Sequence, residues 1–399
     1  MTKIAAIEPM IPSDSGIDRS KLGDLALELE RKASKLEGAI NPVTRQVVVE
    51  HMRIINSYYS NLIEGNNTHP RDIRRAMDGE YHKDQAKRDL QIESVAHINT
   101  QRKLDEESPT AQYLMSPDYF LEIHRHFYEQ LPESLRIVLD FQDNRAVVNP
   151  GVFRQAGEDV QVGRHVPPAS EDLANYFVRF QQAYRLDRLH GQRKVIAAMA
   201  SHHRFSWIHP FLDGNGRVGR LHTDQFLKHI GLGAYGIWCI SRGLARRNSE
   251  YKSALARADF PRQGDRDGRG ALSEKTLVEF CEFMLDVCID QVDYMASLID
   301  LQGMEKRIQS YIEDRSRGLL REVGSIKPEA ARLLQRAFTK GEFERSEMAG
   351  ISGLGQSVTR KLVQQLKREG LLTETSSRSP LRWAIPNHVE RYYFPELSP

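Results

Sequence analysis

Cysteine is scarce in this chain of 399 residues. There are three, Cys239, Cys281 and Cys288, odd in number and without a CxxC spacing, so neither a disulfide framework nor a cysteine zinc site is supported. An excess of one charge is missing too: 56 Lys and Arg stand against 54 Asp and Glu, for a formal net charge of +2. That balance removes any global pull toward nucleic acid or anionic membrane, so a basic surface must be local. No stretch approaches the roughly 18 apolar residues of a membrane span, and the opening Met-Thr-Lys-Ile-Ala-Ala-Ile-Glu-Pro carries no apolar signal core. A cytoplasmic protein with no membrane partner is expected. Internal repeats and low-complexity tracts are absent as well.

What is present is mostly helical pattern. Residues 1–40 read as a surface arm leading into a short helix, with Pro9, Pro12, Ser13 and Gly16 as its loop signals. From Pro42 to Glu64 the apolar residues Val48, Met52, Ile55, Tyr59 and Leu62 recur at spacings of four and three, which defines one buried face, and Gly65 stops that helix. Further helices are expected over Ser116 to Leu131 and Ser170 to Leu186. Between them Val160-Gln161-Val162-Gly163-Arg164-His165-Val166 alternates and is closed by Pro167-Pro168, so a short strand or hairpin edge is expected there. The helix over Gln192 to Ile208 must end near His209, because Pro210 pushes the residue before it out of the helical region. Pro261 to Lys275 reads as an exposed loop. From Lys327 to Pro399, three helical patterns precede two strands, Leu371 to Thr375 and Leu381 to Ile385. That order describes a winged helix.

The informative segment is His209-Pro-Phe-Leu-Asp-Gly-Asn-Gly-Arg-Val-Gly-Arg220. Gly214 and Gly216 flank Asn215 and leave the backbone bare enough for several amides to face one anion, with a helix N-terminus behind them. Arg217 and Arg220 sit in the first turn of that helix, where the macrodipole disfavours cations. Their placement asks for an anion, and two guanidinium groups suit a polyphosphate better than one carboxylate. Asp213 alone would hold a metal poorly, but with phosphate oxygens and waters as co-ligands it is enough for Mg²⁺. His209, with an ordinary pKa of about 6.5, is largely neutral at cytosolic pH and can take a proton from a hydroxyl. A zinc site built from His202, His203, His209 and Asp213 is the competing reading; Pro210 interrupts its geometry and it leaves the arginines without a role.

This segment resembles the Fic motif, His-x-Phe-x-Asp-Gly-Asn-Gly-Arg-x-x-Arg, with every fixed position present. The resemblance implies a mainly α protein: a Fic-type helical bundle with a short β-hairpin flap, plus the carboxy-terminal winged-helix domain. It implies binding of ATP with Mg²⁺ and transfer of AMP to a hydroxyl of a protein substrate. By match, His209 is the base, Asp213 the metal ligand and Phe211 a buried anchor. Asn215 with the Gly214 and Gly216 amides holds the inner phosphates, and Arg217 and Arg220 the outer ones. In relatives that move a phosphate, a lysine tends to follow the asparagine; Gly216 stands there and favours AMP transfer. Val160 to Val166 resembles the flap that pairs with target backbone. Tyr251 resembles a tyrosine that contacts the nucleoside, although Lys252 replaces the tyrosine often found after it.

Ser60-Asn-Leu-Ile-Glu64-Gly65 resembles the family's inhibitory motif, whose glutamate occupies the arginine meant for the γ-phosphate. Ser60 and Glu64 are four apart on one helix face, and Glu64 meets the negative end of the helix dipole, which calls for a cation. Arg220 is the candidate. In some relatives this glutamate also supports removal of AMP. The expected organisation is 1–40 arm, 41–112 helical region with the inhibitory helix, 113–300 Fic core, 301–326 connecting helix and linker, and 327–399 winged helix. That last part holds 12 basic and 8 acidic residues. On its third helix Val358, Leu362, Val363 and Leu366 are expected inward, leaving Arg360, Lys361, Lys367 and Arg368 as candidate DNA contacts. A self-inhibited adenylyltransferase and an ATP-sensing DNA-binding regulator therefore compete, with homo-oligomerisation open.

Overall fold

In the computed structural model, which describes residues 3–139, 145–320, 322–395 and 397, helices form where caps and apolar spacing favour them. Asn41 caps the helix Pro42–Ile63 by accepting from the Val43 N–H, with Pro42 in the first turn; proline loses nothing there, because its missing N–H would have had no partner within the helix. Val48, Met52, Ile55 and Tyr59 are buried along it. The chain leaves through Glu64 into Gly65 at φ +97°, a left-handed conformation free of strain only without a Cβ. Ser116 caps Pro117–Tyr128 through the Tyr119 N–H. Leu173–Ala183 buries Leu173, Phe177 and Phe180, and Tyr184 follows it into the core.

At the centre lies Gln192–Ile208. From Val195 to Ile208 only Ser206 escapes burial, as expected of a helix surrounded on all sides. Asn215–His229, Leu22–Gly38 and Glu274–Leu298 pack against it. Pro42–Ile63 is flanked by Gln85–Glu106 and Ile240–Arg246, and Gln85–Glu106 in turn by Pro117–Tyr128. Cys239, Cys281 and Cys288 are buried free thiols. Among the described residues no helix is long and apolar enough to cross a membrane.

Three expectations need correction. The first forty residues are not a surface arm: Ile7 and Met10 are in the core, the Met10 carbonyl accepts from Tyr184 Oη at 2.6 Å, and the 17-residue helix Leu22–Gly38 buries Leu22, Ala26, Leu29, Ala33 and Leu36. Pro9 is held because Arg204, buried in the central helix, needs a carbonyl for its charge. Second, Val160 to Val166 is no strand. Only Val162 and His165 pair, exchanging two N–H···O bonds of 3.0 Å, because Gly163 at φ +59° turns the chain at once. A longer antiparallel ribbon joins Ile137–Leu139 to Arg145–Val147. Third, Val358 is 39% exposed, and Thr359 is the buried neighbour of Leu362, Val363 and Leu366; the Thr359 hydroxyl is satisfied by Ser352 at 2.9 Å.

After the helix Leu301–Ser316 the carboxy-terminal segment runs Ala330–Lys340, a strand Glu342–Phe343, the short helix Met348–Ser352, Gln356–Arg368, and strands Leu372–Thr373 and Leu381–Trp383. The last strand lies centrally and is antiparallel to both others. Arg360, Lys361 and Arg368 are exposed, whereas Lys367 is already paired with Glu374. This segment packs on Pro42–Ile63. Phe338 O accepts from Thr44 Oγ1 at 2.7 Å, the Phe394 and His51 rings lie 5.2 Å apart, and Leu397 O accepts from Tyr59 Oη at 3.2 Å.

On the other flank of the same helix, Asn56 donates to Asp224 at 3.1 Å beside a cavity of about 40 Å³. Burial pushes the Asp224 carboxyl up to about 7, with Asn56 opposing the rise. A carboxyl whose folded pKa exceeds its unfolded value of about 4 contributes stability that is complete below that value and lost as pH rises through the folded one. The Asp224 contribution to thermal stability is therefore expected to fall from pH 4 to pH 8: measured at constant ionic strength, the Tm of Asp224→Asn relative to the parent should rise with pH and be highest at pH 8. An unaltered slope in the variant would reject the assignment.

Candidate active site

Pro210 forces the end of the central helix, and His209 takes the corner in the left-handed conformation, φ 46°, ψ 62°. Its Nδ1 lies 3.3 Å from Ser206 O, a contact that places the proton on Nδ1 and leaves Nε2 as the basic nitrogen. Burial pushes the imidazole down to about 4, more than the Ser206 carbonyl gives back. His209 is thus neutral throughout the physiological range. Phe211 is fully buried, stacked on His124 at 4.0 Å. Asn215 folds the turn: its Oδ1 accepts from Phe211 N at 3.0 Å and its Nδ2 donates to Phe211 O at 2.8 Å. The Asn215 side chain is therefore engaged by the turn, and what it offers an anion is its backbone N–H at the start of Asn215–His229.

The two arginines diverge. Arg220, 1% exposed, donates from Nε to Ser60 Oγ at 2.9 Å, and from one terminal nitrogen to Ser60 O at 3.0 Å and Glu64 Oε1 at 2.6 Å. Burial opposes ionisation of Glu64, but Arg220 and Arg217 outweigh it and hold its carboxyl below the usual value. A Cβ on Gly216 would lie 2.2 Å from Glu64 Oε1, so the bare glycine leaves the carboxylate room to reach Arg220 in this position. Arg217 instead meets Asp213 Oδ2 at 2.9 Å, Tyr128 Oη at 3.1 Å and Glu93 Oε2 at 3.1 Å, with its guanidinium 4.6 Å over Phe127. Against the cost of burial, Arg217 and Tyr128 keep Asp213 below the ordinary carboxylate value.

Beside this turn opens a cavity of about 1030 Å³, lined by Glu64, His209, Asn215, Gly216, Arg220 and Tyr251 among others. Of the two arginines expected to hold outer phosphates, Arg220 lines this cavity and Arg217 does not. Such a volume suits a small-molecule ligand.

Residues 114–227 match the Fic/DOC family. This segment of the chain carries a Fic/DOC domain. Over 84 residues it is 37% identical to the protein adenylyltransferases Fic of Drosophila grimshawi and Drosophila ananassae, which covers 21% of this chain and 17% and 16% of theirs. The matched stretch is thus about a sixth of the length of those relatives. Among solved structures, a Fic family protein from Desulfovibrio desulfuricans aligns over 92% of this chain and 96% of its own with a TM-score of 0.54 at 17% identity. A Fic domain containing signaling protein from Bacteroides thetaiotaomicron aligns over 68% and 95%, with a TM-score of 0.51 at 17% identity. At that identity the likeness concerns the fold.

Around the Fic motif stand residues that sequence reading did not single out. Arg154, 3% exposed, donates from Nε to His209 O at 2.9 Å and from a terminal nitrogen to Pro168 O, while its backbone N–H donates to Pro210 O at 2.9 Å. It ties the His209 corner to the residues that close the Val160 to Val166 turn. That turn is tied again by His165 Nε2, 2.7 Å from Trp207 O, while Val162 and Val166 are 45% and 72% exposed. Tyr128 and Glu93 fix Arg217 from two other helices. Tyr251 lines the cavity, but its hydroxyl is held by His202 Nε2 at 2.7 Å, and His202 Nδ1 lies 2.8 Å from Thr223 Oγ1. His203 is occupied by Asp259 at 3.1 Å, so neither histidine joins His209 in a metal set. Long-range ¹H–¹⁵N NMR of His209 is expected to show a neutral ring protonated at Nδ1 from pH 8 down to about 5, with titration near 4. A midpoint at the ordinary 6.5 would contradict this environment.

Proposed function

We propose that the protein is a self-inhibited protein adenylyltransferase, which moves AMP from ATP to a Ser, Thr or Tyr hydroxyl of a protein and releases pyrophosphate. The observation that carries this reading is the convergence on one cavity of a neutral His209, a glycine-flanked helix N-terminus and an arginine occupied by an internal carboxylate. His209 Nε2 takes the proton as the hydroxyl oxygen bonds to the α-phosphorus, and the bond from that phosphorus to the pyrophosphate oxygen breaks. A base with a pKa of about 4 is weak, but it is unprotonated at every physiological pH. The Gly216 and Asn215 amides and the helix dipole face the charge that develops on the phosphates.

Asp213 fits a role in holding Mg²⁺: its carboxylate stands at the same helix start, 43% exposed and kept ionised by Arg217. Mg²⁺ arriving with ATP would neutralise phosphate charge there, with phosphate oxygens and water as its other ligands. Arg217 then acts chiefly by holding Asp213. Glu64 supplies the brake, because the outer phosphate of ATP needs Arg220, and Arg220 already has an anion. The turn around Gly163 and Arg164 is read as the target-docking flap, its outer edge exposed for pairing with target backbone. The carboxy-terminal segment is read as a winged helix that braces the inhibitory helix and recruits partners through Arg360, Lys361 and Arg368.

Incubation with Mg²⁺ and ATP labelled at the α-phosphate is the direct test. Labelled protein is expected to be strongest for Glu64→Gly and weaker for the parent, and to fall by on the order of 10²–10⁴ on His209→Ala. Label arriving from the γ-phosphate instead would replace AMP transfer by phosphorylation. In the Glu64→Gly background, Arg154→Met is expected to lower kcat on the order of 100-fold with little change in KM for ATP, because it loosens the His209 corner and not the phosphate site. Arg154→Lys should recover part of the loss. An unchanged kcat in Arg154→Met would remove that residue from the machinery.

A further inference from the structure

Away from this cavity, Glu107, Glu122 and His126 bring one ligand atom each to within 4.8 Å of one another. Glu122 and His126 are one turn apart on Pro117–Tyr128, and Glu107 is the residue that closes Gln85–Glu106. His126 is 8% exposed, and its Nε2 has no hydrogen-bond partner among the described residues. That nitrogen stands 3.5 Å from Glu107 Oε1 and 3.6 Å from Glu122 Oε1. Both separations are long for hydrogen bonds. They match the edge of a ligand tetrahedron, since bonds of about 2.0–2.2 Å to one zinc ion set neighbouring ligands roughly 3.4 Å apart.

Two further features point the same way. Tyr113 Oη donates to Glu122 Oε2 at 2.8 Å, fixing the carboxylate through its second oxygen and leaving Oε1 toward His126, as outer partners of metal ligands do. Tyr119, fully buried one turn before Glu122, also leaves its hydroxyl without a partner among the described residues. Both carboxylates act on it electrostatically.

We propose that Glu107 Oε1, Glu122 Oε1 and His126 Nε2 bind one first-row divalent cation, with Zn²⁺ the best match and water in the fourth position. One imidazole and two carboxylates suit tetrahedral zinc; magnesium would require six oxygen ligands. The ion would cross-link the end of Gln85–Glu106 to Pro117–Tyr128. Those helices carry Glu93 and Tyr128, the two outer supports of Arg217. The site is separate from Asp213 and does not depend on the proposed reaction.

The test uses the full chain, stripped with chelator and dialysed, then titrated with zinc alone by calorimetry and followed by Tm. One zinc equivalent is expected in the parent and in Asp213→Ala, with a rise in Tm. In His126→Gln the affinity should fall by more than the ~10–100-fold that loss of an outer partner costs, and the zinc-dependent rise in Tm should vanish. Should His126→Gln fail to fold, Glu107→Gln at the helix end carries the same expectation. Cobalt in place of zinc should give the visible absorption of a tetrahedral site in the parent and in Asp213→Ala but not in His126→Gln. Zinc bound equally by the parent and the His126 or Glu107 variants, or no zinc bound by the folded parent, would overturn the proposal.

Discussion

The contact on which most of the site depends is the ion pair between Glu64 and Arg220, 2.6 Å apart across the bare Cα of Gly216. A guanidinium that is 1% exposed must have an anion, because an unpaired charge at that depth costs several kcal/mol. Glu64 meets that demand within the chain, and in the proposed reaction a phosphate meets it from outside. The same residue therefore makes the fold tolerable without a ligand and, in the proposed self-inhibition, closes the site to one. Ser60 strengthens the arrangement by accepting from two Arg220 nitrogens, so two residues of one helix end, Ser60 and Glu64, hold the arginine in place before any nucleotide arrives.

Arg217 shows how partners override spacing. On the helix Asn215–His229 it lies three residues before Arg220, and that spacing alone suggests a shared face. Asp213, Glu93 and Tyr128 supply a different set of acceptors on the other side, and a long side chain follows its hydrogen bonds. The result is a division of labour between two arginines that look alike in the motif. One faces the cavity; the other stiffens the Asp213 carboxylate at the start of the same helix.

Much of this was legible in the sequence because it is local. Pro210 dictates the corner at His209, the glycines dictate the turn, and the spacing from Val48 to Tyr59 dictates the inhibitory helix; each needs only a few neighbouring residues. What escaped is long-range. Arg154 meets the carbonyl of a residue 55 positions away, Tyr128 meets Asp213 across 85, and Arg217 meets Glu93 across 124. No period or cap marks such residues. The amino-terminal segment was misread for a related reason: prolines and serines signal a loop, but not that a buried Arg204 needs the Pro9 carbonyl. Val358 and Thr359 exchanged roles because a threonine can be buried once its hydroxyl finds Ser352 and Leu354.

Release of Glu64 is constrained by where the inhibitory helix is held. Thr44, His51 and Tyr59 meet the carboxy-terminal segment, and spacings of seven and eight put them along one stripe of the helix. Glu64 stands five residues past Tyr59, about 140° around, so the brace and the brake occupy different faces. With the rod fixed along its length, Glu64 leaves Arg220 most cheaply by movement of its own last turn. The local structure permits this: Glu64 is the closing residue of the helix rather than an interior one, its side chain is 35% exposed, and left-handed Gly65 follows. Fraying one helix end forfeits few hydrogen bonds, whereas shifting the whole helix would unpack its contacts with Gln85–Glu106, Ile240–Arg246 and the carboxy-terminal segment together. If Glu64 is the brake proposed above, its place at the end of a braced helix lets it open without disturbing the core that positions His209.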